Sequence, residues 1–321
     1  MTTLEALKAT ITKEFVKSIV PKKDKEYTPW GNYEIIKRVI SSKNSKNLYL
    51  TGLSGCGKTK SIQQACAELK KPLILLQITS ETSERELIGG YNLSGGEYVW
   101  NNGAVVEAIL SNAVLVLDEV DKGTSSLMCL QSILNKDDVL YIKELNLCVP
   151  IPDDFTVMAT ANTKGAGDVS GLFITSNVLD GAFLDRFDIM LEQKYPSKDE
   201  EIKILHNIFG ESEETQNDIE LLTEIASRSR KLFLEGETTD VLSTRGLINT
   251  LRNKQDIYYD FDNPLFESLM GTICRFDETT VEAIKAFWDT LQGDEEEETE
   301  DVIEEGFFSI DHVPEFDNLL P

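Results

Sequence analysis

Cationic residues are scarce in this 321-residue chain: 31 Lys and Arg stand against 56 Asp and Glu, for a formal charge of −25. A surface of that sign repels phosphate backbones, so nucleic acid is an unfavoured partner, although a locally basic channel would escape the argument. Histidine is almost absent, with His206 and His312 standing apart, and the five cysteines (Cys56, Cys66, Cys129, Cys148, Cys274) show no paired spacing. Neither a zinc site nor a disulfide framework is expected, and buried thiols in a reducing compartment are. No apolar run reaches the ~18 residues that a membrane-spanning helix needs. The segment Met1 to Lys17 alternates Lys and Glu with apolar residues and lacks a signal-peptide core. These absences predict a cytoplasmic protein with no membrane contact.

The length suits two domains, or one domain with a subdomain. Leu4, Leu7, Ile11, Phe15 and Ile19 recur at helical spacing and predict one helix over 4–20, stopped by Pro21. A short polar linker follows to Trp30. From Asn47 the order becomes apolar strand, Gly-rich or polar turn, helix. Strands are predicted at Leu48–Thr51, Leu73–Ile78, Ala113–Leu117 and Phe155–Ala159, each apolar on both faces as strands of a covered parallel sheet are. Beyond Pro196 only helical patterns remain. After Gly293 come twelve acids with no Lys or Arg, which leaves −13 on the rest of the chain. Such a stretch cannot bury enough surface to fold. The expected division is an N-terminal helix and linker (1–28), a nucleotide-binding core (29–195), a helical lid (196–293) and an acidic disordered tail (294–321). Within that tail Phe307, Phe308 and Phe316 lie among acids, a mix that suits docking onto a partner or onto a basic surface.

The run Gly52-Leu53-Ser54-Gly55-Cys56-Gly57-Lys58-Thr59 has the P-loop pattern, directly after a predicted strand and opening a helix. Glycines let several backbone N–H groups converge on phosphate oxygens, and the helix N-terminus adds positive potential. Lys58 would reach the β- and γ-phosphates, and the Thr59 hydroxyl would ligate Mg2+. The strand Ala113–Leu117 then carries two carboxylates at its C-terminal end, where ligands of such sheets bind. Asp118 would join the Mg2+ shell, and Glu119 would orient and deprotonate the attacking water. Asp121 suits either an extension of this acidic group or a helix cap. One strand further on, Asn162 places an amide within reach of the γ-phosphate or the water.

Together with Gly52–Thr59, the runs Asp118–Gly123 (DEVDKG), Ala159–Phe173 (ATANTKGAGDVSGLF), Leu184–Phe187 (LDRF), Tyr195-Pro196 and Val241–Gly246 (VLSTRG) follow an order that resembles the MoxR branch of AAA+ proteins. Within that branch the order is most similar to the cobaltochelatase ATPase subunits (CobS) and CobS-like ATPases, phage-encoded ones among them. The resemblance covers residues 27–293. It implies an α/β fold: a P-loop AAA+ αβα core with a parallel sheet, followed by an all-helical lid. It also implies ATP with Mg2+, a homo-oligomeric hexameric ring, and a client or von Willebrand A-type partner protein that is remodelled or activated. By position Asn162 is similar to sensor 1, Arg186 to the arginine finger that acts on a neighbour's ATP, and Arg245 to the sensor-2 arginine of the lid. A guanidinium suits the last two roles, since its fixed donors match oxygens on which charge develops. The branch also inserts hairpins, for which Gly89–Gly103 and Val139–Ile151 are the candidates here. Two other functions share the same motifs: a nucleic-acid or GTP-dependent restriction-type motor, and a nucleotide-gated scaffold without catalysis. The acidity weighs against the first, and the full set of hydrolytic residues against the second.

Overall fold

The computed structural model describes residues 3–165, 167 and 176–305, leaving aside the side chains of 293–305. In chain order its strands are β1 (Leu48–Thr51), β2 (Leu73–Gln77), β3 (Gly89–Ser94), β4 (Glu97–Asn102), β5 (Val114–Asp118), β6 (Val139–Ile142), β7 (Leu147–Pro150), β8 (Val157–Ala161) and β9 (Ile189–Glu192). Five of them form one parallel sheet in the order β2-β5-β8-β1-β9. Its strands are apolar on both faces because helices cover both. Alternation sends Leu48 and Leu50 to one face, with Ile62, Ala65 and Val116. Tyr49 goes to the other face, with Leu115, Leu117 and Ala159.

The helices α1 (Leu4–Ala9), α2 (Lys13–Ser18), α3 (Tyr33–Ile40), α4 (Lys58–Leu69), α5 (Glu84–Leu87), α6 (Ala104–Ser111), α7 (Gln131–Leu134) and α8 (Gly181–Leu184) precede or accompany the sheet. From α9 (Lys198–Phe209) the chain is helical: α10 (Glu213–Glu235), α11 (Thr244–Asp256), α12 (Pro264–Ile273) and α13 (Glu278–Glu305) follow. They close over their own core, which contains Leu205, Leu222, Ile225, Leu247 and Leu269. The fold is thus an α/β AAA+ fold with a helical C-terminal part. Both expected hairpins are present, as the antiparallel pairs β3–β4 and β6–β7. Among the described residues no helix is long and apolar enough to cross a membrane.

The structure departs from the sequence reading in several places. The single helix expected over 4–20 is two, because Thr10-Ile11-Thr12 is β-branched throughout and both threonines prefer caps. Thr10 turns its hydroxyl to Leu7 O at 2.7 Å, and Thr12 accepts the Phe15 N–H at 3.1 Å to start α2. The fourth strand begins two residues later than expected, since Phe155 N–H closes a turn onto Pro152 O. The edge strand β9 went unread because its apolar run is only Ile189–Leu191. The linker is a strap on α4: Gln64 accepts the Asp24 N–H, and Tyr27 O–H donates to Ser61. Where an extended tail was expected from residue 294, α13 continues through Gly293 to Glu305. Glutamate is a good helix former, and extending an existing helix gains a hydrogen bond per residue without a new nucleus. Residues 306–321, which carry the aromatic part of the tail, lie outside the described residues, as do 166 and 168–175.

Leu7 of α1 is 1% exposed in the core on the Tyr49 side of the sheet, α1 packs against β7, and Asn102 of β4 donates to the Thr10 hydroxyl at 3.0 Å, so the N-terminal helix touches both hairpins. Leu7→Ala is expected to cost about 2–5 kcal/mol of stability, read as a lower urea midpoint at unchanged slope. Leu93→Ala, at a side chain that is 67% exposed, should stay within about 0.5 kcal/mol of the parent. Equal midpoints for the two variants would show that Leu7 does not tie α1 to the core.

Candidate nucleotide site

At the end of β1 the chain turns through Gly52–Gly57 and enters α4 at Lys58. The turn is pinned to the sheet on both sides: Gly52 N–H donates to Ala161 O at 3.2 Å, and Gln193 N–H donates to Thr51 O at 2.7 Å. Gly57 has φ +84°, and a Cβ there would lie 2.5 Å from the Trp30 ring, so glycine is required twice over. The free N–H groups of α4 and its dipole give this turn positive potential. Lys58 Nζ donates to Gly52 O (2.6 Å), Leu53 O (3.0 Å) and Asn162 Oδ1 (3.0 Å). Burial pushes its ammonium below the usual lysine range, and the carboxylates of Asp121, Asp118 and Glu119 only partly oppose this. Lys58 and Asn162, 104 residues apart in sequence, therefore meet as expected.

The paired acids leave the end of β5 in different directions. Asp118 Oδ1 accepts Thr59 Oγ1 at 2.6 Å and also the Thr160 hydroxyl. Thr59 and Asp118 are thus adjacent hard oxygen donors, the set that suits Mg2+ with its remaining positions filled by water and phosphate. Glu119 takes a left-handed backbone conformation, φ +57°, and its Oε2 accepts Gln77 Nε2 at 3.1 Å and Lys122 Nζ at 2.8 Å. Burial alone would push this carboxyl up. The hydrogen bonds from Lys122 and Gln77, with the charges of Lys122 and Lys58, prevail and hold it below the usual carboxylate range.

Asp121 is neither a third catalytic acid nor a helix cap. It is fully buried, and its Oδ2 accepts Asn162 N–H, Thr163 N–H, the Thr163 hydroxyl and the Ser176 hydroxyl, each at 3.0 Å. A carboxylate so held fixes the turn after β8, and with it the Asn162 amide, against Lys58.

The helical C-terminal part borders this end of the sheet. A cavity of about 520 Å3 is lined by Leu53, Ser54, Asn162, Arg245 and Arg275, so Arg245 shares a space with its own P-loop. A second cavity of about 350 Å3 also borders Arg245 and is lined by Tyr27, Trp30, Gly57, Ile204 and Ile248. It is a slot with aromatic and aliphatic walls beside the phosphate cradle, of the kind that holds a planar base. The sequence reading missed this slot because its walls come from the strap, α9 and α11, which no local motif connects. The one available signal was the aromatic pair Tyr27 and Trp30 in a segment otherwise polar.

Arg186 is elsewhere. Its Nε donates to Asn135 Oδ1 at 2.6 Å and its Nη1 to Ala182 O, and it makes no ion pair with Asp185 or Asp188 among the described residues. It precedes β9, whose first residue Ile189 pairs with Leu48, the first residue of β1. The P-loop follows the last residue of β1. Four residues of strand, about 13 Å, separate the two ends, so Arg186 does not join the cluster in its own chain.

The family model for the AAA domain of the dynein-related subfamily matches residues 47–187, a span that holds the P-loop, both acids, Asn162 and Arg186. Aerobic cobaltochelatase subunit CobS of Sinorhizobium sp. is 26% identical over 217 residues, 65% of this chain and 65% of CobS. Protein NorQ of Paracoccus denitrificans is 36% identical over 94 residues, 29% of this chain and 34% of NorQ. Von Willebrand factor A domain-containing protein 8 of Mus musculus is 23% identical over 256 residues, 72% of this chain and 13% of that protein. The chain therefore spans less than two thirds of the length of each of these relatives. The matched family model, the relatives and the five-stranded parallel sheet agree, and the chain carries an AAA domain over residues 47–187 that is similar to those of the MoxR-type AAA+ ATPases, CobS among them.

Proposed function

We propose that the chain hydrolyses ATP as one subunit of a homo-oligomeric ring, a hexamer, and that the ring uses the turnover to remodel or activate a partner protein. The observation that carries this reading is the division of the hydrolytic set. Lys58, Thr59, Asp118, Glu119, Asn162 and Arg245 gather at one end of the sheet, and Arg186 stands at the other.

The backbone N–H groups of Gly52–Thr59 would receive the phosphates, and Lys58 would exchange its carbonyl and amide partners for the β- and γ-oxygens. Thr59 and Asp118 would hold Mg2+, which when bound neutralises phosphate charge. Glu119 is held anionic by Lys122 and Gln77 and is available to orient and deprotonate water. Asn162, fixed by Asp121, would hold the γ-phosphate or that water, and Arg245 would reach the γ-phosphate from the lid of the same chain. Arg186 of one subunit would complete the site of the next. The likeness to a von Willebrand factor A domain-containing protein supports a partner of that type, and the acidity of the chain supports a protein client over nucleic acid.

Lys58→Ala is expected to lose nucleotide binding, whereas Glu119→Gln should bind ATP and turn over about 10²–10⁴-fold more slowly. Equilibrium binding and steady-state phosphate release measure the two. Wild-type turnover in Glu119→Gln would remove Glu119 from the mechanism.

Arg186→Ala should bind ATP normally and lose about 10³-fold or more in turnover, as loss of a trans arginine does. Mixing it with Glu119→Gln should restore part of the activity, because some interfaces then draw an intact residue from each variant. Full turnover at a concentration where sedimentation shows only monomers sinks the shared-site reading.

A further inference from the structure

An unbroken line of directed contacts runs from the phosphate cradle to the lid helix that carries Arg245, and the chemistry above uses none of its members. Tyr195 begins it. Its O–H donates to Ser54 O at 2.6 Å, and its ring lies under the Arg230 guanidinium, 4.3 Å from the centroid. Arg230, on α10, is fixed by three donors: Nη1 and Nη2 reach the two oxygens of Glu201 at 2.8 Å each, and Nε reaches Leu242 O at 3.1 Å. Glu201, on α9, is 1% exposed, and its Oε1 also accepts Thr244 Oγ1 at 2.5 Å. Thr244 opens α11 and directly precedes Arg245. The cap before it, Ser243, sits so close to the P-loop that a Cβ on Gly55 would lie 2.7 Å from its hydroxyl.

Stability gives no reason for charge here. Taking a guanidinium and a carboxylate out of water is costly, and an apolar pair of similar volume commonly holds a core as well or better. What the forked pair provides is direction, since the planar guanidinium fixes its partners in distance and angle. Arg230 thereby joins α9, α10, the start of α11 and, through the Tyr195 ring, the loop that cradles phosphate.

We propose that Arg230 is a positioning residue for nucleotide turnover: through Glu201 and Thr244 it sets the start of α11, and through Tyr195 it ties that setting to Ser54. Arg245 then meets the phosphates only when the lid and the cradle are in register. The proposal rests on the reading of Arg245 as a phosphate contact.

The full chain carrying Arg230→Met with Glu201→Leu loses both charges at once, so neither is left buried and alone. Its melting temperature should stay near that of the parent. Its kcat should fall about tenfold while ADP affinity holds within about threefold, a split that general loosening of the fold would not give. Arg245→Ala should lower kcat in the parent background but add little in the Met/Leu background. Equal losses in both backgrounds overturn the coupling and leave the Arg245 contact standing. An Arg245→Ala chain with parental kcat removes that contact, and the proposal with it. Tyr195→Phe keeps the ring under Arg230 and deletes only the bond to Ser54, so it serves even where the double replacement fails to fold. It should lower kcat and show the same lack of additivity with Arg245→Ala. Parental kcat in Tyr195→Phe overturns the proposal.

Discussion

The register of β8 between β1 and β5 sets the rest of the nucleotide end. Ala161 stands level with Thr51, and Ala159 with Leu117, so Thr160 lies beside Asp118 and Asn162 follows at the height of the P-loop. The Thr160 hydroxyl then serves both neighbours, donating to Asp118 Oδ1 and accepting the Glu119 N–H at 3.1 Å. A slip of one residue would turn Thr160 to the other face and carry Asn162 away from Lys58. The all-apolar burial of β8 resists such a slip less than alternation would, because either face accepts its residues. Asp121 supplies the missing restraint. Three donors from the turn after β8, with the Ser176 hydroxyl as a fourth, converge on its Oδ2, and a slipped register would carry the first three away from it.

Charge at this end is local and runs against the sign of the whole. A chain of −25 repels a polyphosphate at long range. On the proposed reading, Lys58, the start of α4 and Arg245 would meet a polyphosphate at short distance and in partly excluded solvent, where Coulomb terms are larger. The acids there are each committed: Asp118 to two hydroxyls, Glu119 to Lys122 and Gln77, Asp121 to the β8 turn. The same holds at the cavity beside Tyr27 and Trp30, where Asp24 and Glu26 are paired with cations.

Features held in a few consecutive residues were legible in the sequence. The P-loop, the acid pair, the strands β1, β2, β5 and β8 and both hairpins rest on local patterns of glycine, apolar runs and alternation, and the structure has each of them. Features made by distant residues were not legible. Trp30 reads as the end of a linker until α4 is built beside it and Gly57 is seen to need its missing Cβ. Arg230 and Glu201 read as surface residues of amphipathic helices, because an ion pair 29 residues apart leaves no periodic trace. The strand β9 escaped because its apolar run is only Ile189–Leu191, whereas the other edge strand, β2, carries four apolar residues in a row and was legible. At Thr10–Thr12 two local rules conflicted, and capping by β-branched threonines outweighed a continuous helical spacing.

A parallel sheet has two unlike ends, and that polarity bears on assembly. The carboxyl ends of β1, β5 and β8 carry the phosphate cradle, while the amino end of β9 carries Arg186. On the reading proposed here, the productive contact joins the first kind of end on one subunit to the second kind on another. Such a contact uses two different surfaces, so it cannot be satisfied by a two-fold dimer, in which the same patch faces itself. It propagates head to tail, and with a closing rotation it gives a ring in which every site is completed once. The Tyr195–Arg230–Glu201–Thr244 line lies at the cradle end alone. On the same reading, the contacts that set the helical part over the nucleotide all lie within one subunit, and only Arg186 would come from a neighbour.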